Sequence, residues 1–251
     1  MSPQAEESRG ERIAKWLARA GVASRRDAEK MLEQSRVVLN NNVVSHPASF
    51  VQPGDLVLVD GSPVEPPDRA RLWRYHKPDG LVTTHRDPQG RATVFASLPP
   101  GLPRVVSIGR LDLNSEGLLL LTNDGGLARR LELPANGWLR RYRVRVFGVV
   151  DERQLAALSE GPTIEGVRYG PIEAGLDGRK GDNAWLTVAL REGRNREIRR
   201  VMASLNLHVS RLIRTAYGPF PLGSLGRREL EEVPGKVLRE QIAGLGPAPR
   251  R

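Results

Sequence analysis

Gly109-Arg110-Leu111-Asp112-Leu113-Asn114-Ser115-Glu116-Gly117, continued by Leu118-Leu119-Leu120-Leu121-Thr122-Asn123-Asp124-Gly125, is the stretch around which the chain is arranged. Val105 to Ile108 before it reads as a strand, and the apolar run Leu118 to Leu121 is too short for an independent helix. Asp112 is therefore expected on a tight connection at the mouth of a sheet, where rigid strands commonly carry reactive side chains. A lone Asp in a loop more often bonds only its own backbone, and Asn114 could do the same.

Composition narrows the possible functions. The chain has 251 residues, 39% hydrophobic and 27% charged, enough for one large core or two unequal domains. No stretch reaches the roughly 18 apolar residues of a membrane span, and Met1 to Gly10 is polar, so a cytoplasmic protein without membrane contact is expected. The absence of Cys removes disulfides and thiolate zinc sites, and His46, His76, His85 and His208 have no ligand spacing, so no metal is expected. A net charge of +10 points to a polyanionic partner. Of the 39 basic residues only Lys15, Lys30, Lys77, Lys180 and Lys236 are Lys. Arg grips phosphate bidentately and stacks on bases; Arg-rich codon usage would give the same excess, so the argument rests on charge. Neither a phosphate-binding Gly-x-x-x-x-Gly-Lys loop nor Gly-x-Gly-x-x-Gly occurs, and no nucleotide cofactor is expected.

Near the start, Ile13, Trp16, Leu17 and Ala20 share one face of a helix that Gly21 can end, and Ser24 with Asp27 opens a second helix burying Ala28, Met31 and Leu32. Val37 to Leu39, Val43-Val44 and Leu56 to Val59 follow as short strands. This helix-turn-helix plus small sheet, residues 11–60, resembles the alpha-L RNA-binding domain. The resemblance makes Arg12, Lys15, Arg19, Arg25 and Arg26 candidate phosphate contacts. Residues 61–70 are Pro-rich and read as a linker, 71–243 as a second domain, and 244–251 as a disordered tail.

In the second domain Leu72 to Tyr75 reads as a strand and Lys77-Pro78-Asp79-Gly80 as a turn. Arg141 to Phe147 alternates, with Tyr142, Val144 and Val146 on one face and Arg141, Arg143 and Arg145 on the other. Asp151 to Ser159 is a capped helix, Asp177 to Asp182 a basic turn, and Ala184 to Leu190 a strand. In Glu192-Gly193-Arg194-Asn195-Arg196-Glu197-Ile198-Arg199-Arg200, Ile198 begins a helical apolar face with Val201, Met202 and Leu205. Arginines at a helix start oppose its dipole, which calls for a carboxylate or phosphate partner.

The words around Asp112 resemble the catalytic motif of the RsuA/RluB-type ribosomal pseudouridine synthases, and Val209 to Arg214 with Tyr217-Gly218-Pro219 resemble the end of the RluB branch. Ser115 stands where the family often has Thr, Arg141 where Lys is common, and Glu197 where Gln is commoner. The resemblance implies an α+β protein: a small N-terminal RNA-binding domain joined to a synthase domain with a mixed, mostly antiparallel sheet. It implies isomerisation of uridine in structured rRNA, without a cofactor. Asp112 becomes the catalytic carboxylate, Tyr142 the ring under the target base, Arg194 the partner of Asp112, and Lys77 with Pro78 a structural support. Ile198 would pack beneath the uracil. Arg110 would fill the space the flipped base vacates, contact a phosphate, or form a structural pair.

Large-subunit rRNA is the expected substrate, as a stem-loop, free or within a pre-ribosomal particle, acted on by a monomer. A small-subunit synthase, a non-catalytic assembly factor of the same fold, and a uridine glycosylase are the alternatives. The glycosylase is disfavoured because ordinary glycosidases use two carboxylates.

Overall fold

A computed structural model describes residues 10–245, so most of the expected tail, 246–251, lies outside the described residues. Two compact units are present, residues 10–70 with Asn123–Gly125, and residues 71–122 with the chain from Gly126 onward.

In the first unit, β1 (Glu11–Arg12) leads directly into α1 (Ile13–Arg19), and α2 (Arg25–Glu33) follows. Ile13 and Leu17 of α1 meet Ala28 and Leu32 of α2 in a core free of solvent. Gly21, at φ +83°, supplies the left-handed residue that lets the chain leave α1. Ser24 caps α2: its Oγ accepts the Asp27 N–H at 3.1 Å and donates to Asp27 Oδ2 at 2.6 Å. β2 (Val37–Leu39), β3 (Asn42–Val43), β4 (Phe50–Val51), β5 (Val57–Val59) and β6 (Ser62–Pro63) complete the unit. Four of them form an antiparallel sheet in the order β3-β2-β5-β6, and β4 pairs with β1. The stretch expected as a linker thus begins inside this sheet. Ser62 and Pro63 form its edge, where a Pro lacking N–H is tolerated, and the Val64 N–H reaches the Val57 carbonyl at 2.9 Å.

The second unit comprises β7 (Leu72–Lys77), β8 (Val106–Ile108), β9 (Glu116–Thr122), α3 (Gly125–Glu132), β10 (Arg140–Phe147), α4 (Glu152–Ala157), β11 (Thr163–Ile164), β12 (Val167–Arg168), β13 (Ile172–Lys180), β14 (Asn183–Leu190), α5 (Glu197–Ser204), β15 (His208–Tyr217), β16 (Phe220–Pro221), β17 (Leu230–Glu232) and α6 (Gly235–Ala243). Its main sheet runs β13-β14-β10-β15-β9-β7-β17, with β16 beside β15 and β8 beside β9. The pairs are antiparallel except β15 with β9. This is the mixed, mostly antiparallel sheet expected from the sequence.

The leucine run is β9, buried on both faces. Leu118 and Leu120 enter one core with Leu127, Leu131 and Leu238, while Leu119 and Leu121 enter another with Trp73 and Tyr75. A strand covered on both faces has no solvent-facing positions, so its leucine run shows no alternation. Beneath the other half of the sheet, Val144, Val146, Leu186 and Val188 pack on Leu155 of α4 and on Val201 and Met202 of α5. The basic turn expected at Asp177 to Asp182 is mostly strand. β13 continues to Lys180 through a bulge between Leu176 and Gly178, leaving Gly181 and Asp182 to turn the chain.

β9 and β15 approach closely at Gly117, which pairs with Arg214 and has φ +98°. A Cβ there would lie 2.3 Å from the Arg214 carbonyl oxygen. Gly117→Ala is expected to destabilise the protein by about 2–4 kcal/mol, measured by equilibrium denaturation; an unchanged midpoint would contradict this packing.

Candidate active site

The connection from β8 to β9 is held by its backbone. Lys77, fully buried at the end of β7, points its ammonium into the loop and donates to the carbonyls of Pro78 at 3.0 Å, Asp112 at 3.1 Å, Leu113 at 3.4 Å and Ser115 at 2.8 Å. Thr83 Oγ1 donates to the Leu111 carbonyl at 2.8 Å, and Arg199 Nη2 donates to that of Asn114 at 2.7 Å. Every carbonyl from Leu111 to Ser115 therefore receives a side-chain donor from outside the loop. Burial pushes the Lys77 ammonium down to about 8, against the opposing pull of the Asp79 and Asp112 carboxylates.

The loop forms one wall of a cleft of about 570 Å³. Arg110, Asp112, Tyr142, Arg194 and Ile198, which are far apart in sequence, all line it. Tyr142 is 9% exposed and packs in the same apolar cluster as Ile198 and Leu212, so its ring is fixed at the cleft wall. Among the described residues, no hydrogen bond or ion pair engages the Asp112 carboxylate; only its backbone carbonyl is tied down. The remaining candidates, Arg12, Lys15, Arg19, Arg25 and Arg26, belong to the first unit. Lys15 and Arg19 both pair with Glu11 at 2.8 Å, Arg25 approaches Glu29 at 3.6 Å, and Arg12 and Arg26 are exposed.

The structure does not pair Arg194 with Asp112. Arg194 Nε reaches Glu192 Oε2 at 3.0 Å, and the guanidinium lies 5.4 Å from the centre of the Tyr169 ring. A carboxylate two residues away is the nearer partner. Arg199, in the first turn of α5, is the arginine of this segment whose charge is coupled to Asp112; burial and Arg196 lower its pKa, and Asp112 opposes them. Arginines do gather at the helix start as expected: Arg196 is the N-cap residue of α5 and Arg199 and Arg200 lie in its first turn, while Arg194 precedes it. Arg196 adopts a left-handed backbone at φ +52° and lines both the cleft and an adjoining groove of about 380 Å³ with Arg199, Asn206 and His208.

Three further cleft residues were not singled out from sequence. Arg214 is 3% exposed, opposite Tyr142 in the β10–β15 register, and donates from Nε to the Leu118 carbonyl at 2.8 Å. Its Nη2 is buried without a partner among the described residues. Arg140 and Arg214 place their guanidinium carbons 4.8 and 5.2 Å from the centre of the Tyr217 ring. The available signal was Arg214 itself, a charge at an inward position after Leu212 in an otherwise apolar alternation.

Glu197 is 4% exposed. Its Oε2 accepts the Arg194 N–H at 2.8 Å, while Oε1 is buried without a partner among the described residues. Burial raises the pKa of this carboxyl above its ordinary value. Among the described residues, no group of three or more His, Asp or Glu side chains could hold a metal ion, and no helix is long and apolar enough to cross a membrane.

Residues 71–204 match the family model described as RNA pseudouridylate synthase, and residues 11–57 match the S4 domain. A protein of Rickettsia bellii (strain RML369-C) named "Uncharacterized RNA pseudouridine synthase" is 48% identical over 229 residues, 91% of this chain and 99% of that protein. The "Ribosomal large subunit pseudouridine synthase B" of Salmonella typhimurium is 42% identical over 218 residues, 84% of this chain and 75% of that one. A solved structure titled "Crystal structure of pseudouridylate synthase" superposes with a TM-score of 0.63 at 25% identity, covering 92% of this chain and all of the other.

The raised Glu197 pKa has a stability consequence with a definite sign. The folded protein holds the proton to higher pH than the unfolded chain does, so stability is lost as the pH rises through the folded value. Glu197→Gln keeps an acceptor for the Arg194 N–H and removes the buried charge. It is expected to raise Tm by a few degrees near pH 8 and by less near pH 5, as read by thermal melts; equal shifts at both would count against a buried ionising group.

Proposed function

The chain belongs to the RNA pseudouridylate synthase family, and from this we propose that it converts one uridine of large-subunit ribosomal RNA to pseudouridine. The reading is supported by the Salmonella relative, named for the large subunit, over 84% of this chain. The observation that carries it is the Asp112 carboxylate, without a hydrogen bond or ion pair among the described residues, in a cleft that it shares with Tyr142 and Ile198.

The reaction breaks the bond from C1′ to N1, turns the uracil, and forms a bond from C1′ to C5. The C5 proton leaves, N1 gains one, and no electrons are exchanged with another molecule. It needs a carboxylate at the junction of sugar and base, acting as nucleophile or as base. Asp112 takes that role because its loop is bonded through carbonyls, leaving the side chain for substrate.

The target base must leave its stack, at a cost of a few kcal/mol. Tyr142 returns about 1–3 kcal/mol by stacking on it, and Ile198 packs beneath the uracil. Arg110, exposed at the rim, occupies the place the base vacates. Arg194 orders the loop before α5 through Glu192 and Glu197. The S4 unit docks the RNA with Arg12 and Arg26, the two of its candidate cations that are exposed and outside its ion pairs. We place the protein in the cytoplasm as a monomer, acting on a stem-loop in free RNA or in a pre-ribosomal particle.

Carbon-glycoside formation expels the hydrogen on C5, so tritium release from C5-labelled large-subunit rRNA tests the reading. Wild type is expected to release it, and Asp112→Asn to be slower by at least about a thousandfold with unchanged RNA affinity. Turnover by Asp112→Asn would remove the assignment. Release from small-subunit rRNA alone would move the substrate.

A further inference from the structure

Half of the large sheet is covered on one side only. Along β10, Tyr142, Val144 and Val146 are buried beneath α4 and α5, while Arg141, Arg143, Arg145 and Phe147 are exposed. β14 repeats the pattern, with Ala184, Leu186 and Val188 buried and Thr187 exposed. The register places the outward residues in rows: Arg143 is opposite Thr187, Arg145 is opposite Trp185 on one side and Arg211 on the other, and Phe147 is opposite Asn183. On β13, Gly175 and Gly178 face the same way, with no atom within 4 Å of where a Cβ would stand. The outward face is thus open and carries mainly cations, with the exposed Glu173 carboxylate in the row of Arg141.

Its chemistry is uneven in a telling way. Alternate residues of a strand stand about 6.7 Å apart, so Arg141, Arg143 and Arg145 form a cationic row about 13 Å long. Arg143 lies over the Trp185 ring at 4.6 Å and is 4.0 Å from Asp177, whose carboxylate also accepts from Thr187 Oγ1 at 2.9 Å. Arg141 and Arg145 have no carboxylate within 4.0 Å among the described residues. Phe147 is 52% exposed. A face kept for solubility has no use for an open Phe beside a half-buried Trp, and an apolar protein partner would not be met by three arginines. Guanidinium groups beside one exposed and one half-buried ring on an open sheet face suit an unpaired nucleic acid strand, whose phosphates meet the cations while a base stacks on Phe147.

We propose that this outward face of β13, β14 and β10 is a second RNA-binding surface, taking an unpaired segment of the same ribosomal RNA outside the target stem-loop. It lies on the side of the sheet opposite the catalytic cleft, because Tyr142 and Arg143 are adjacent residues of one strand. The inference rests on the RNA substrate reading above and adds to it: long substrates bind through both faces, short ones through the cleft alone.

The test compares the full-length protein with its Arg143→Gln/Arg145→Gln variant on the shortest rRNA fragment that wild type modifies and on a long fragment containing it. On the long RNA the variant is expected to show a several-fold higher KM and Kd, and a salt dependence of log Kd shallower by about 1.4, two phosphates at about 0.7 each. On the short fragment kcat and KM should match wild type, and Arg143→Lys/Arg145→Lys should recover most of the affinity. Unchanged Kd and salt slope on long RNA would overturn the proposal. So would an equal loss on both fragments with a lowered Tm, which would make the arginines structural. If wild type modifies no rRNA fragment of any length, the isomerase reading fails, while the Kd and salt slope on long RNA still decide whether this face binds RNA.

Discussion

A single buried ammonium organises the catalytic region. Among the described residues no ion pair engages Lys77; its ammonium donates to four backbone carbonyls. Burying an ammonium is unfavourable unless its hydrogen bonds are met, and carbonyls of a tight loop are equally costly when unmet. Each satisfies the other. The loop is consequently held by donors from outside it and by the buried Leu111 side chain, which leaves Asp112 to face the cleft. A support built on Asp112 itself would have consumed the group the chemistry needs.

The sheet supplies the rest of the geometry. β9, buried on both faces, fixes one end of the loop in the middle of the unit; β15 sets Arg214 opposite its Gly117, and the β10–β15 pairing sets Arg214 opposite Tyr142. The bonds of Arg199 to the Asn114 and Val209 carbonyls tie α5 to both the loop and β15. Four segments thus meet at one cleft, joined by backbone bonds, by charge, and by the apolar cluster under Tyr142.

What the sequence disclosed follows from how local each feature is. The word from Gly109 to Gly125, the alternation of β10 and the capped α2 are contiguous patterns, and each was legible. The cleft's membership could be read from motif resemblance, but not its internal pairing. Arg194 was expected on Asp112 and instead meets Glu192, because a neighbour two residues away is always within reach, whereas a distant carboxylate needs the fold to deliver it. Arg140, Arg214 and Tyr217 depend on strand register, which a one-residue bulge in β10–β15 alters. The end of β13 was misread because Gly and Asp, ordinary turn residues, also mark a bulge.

The close junction at Gly117 also bears on when the cleft can exist. Glu116 lies beside Ile213 in the one parallel pairing between the strands of this sheet. Nearly a hundred residues separate the two, and such long-range contacts close late because the intervening chain must first be ordered. During synthesis, β7, β8 and β9 emerge well before β15, so the loop bearing Asp112 can be assembled on Lys77 while its opposite wall is still missing. Completion of the reactive site is therefore deferred until almost the whole chain has been made.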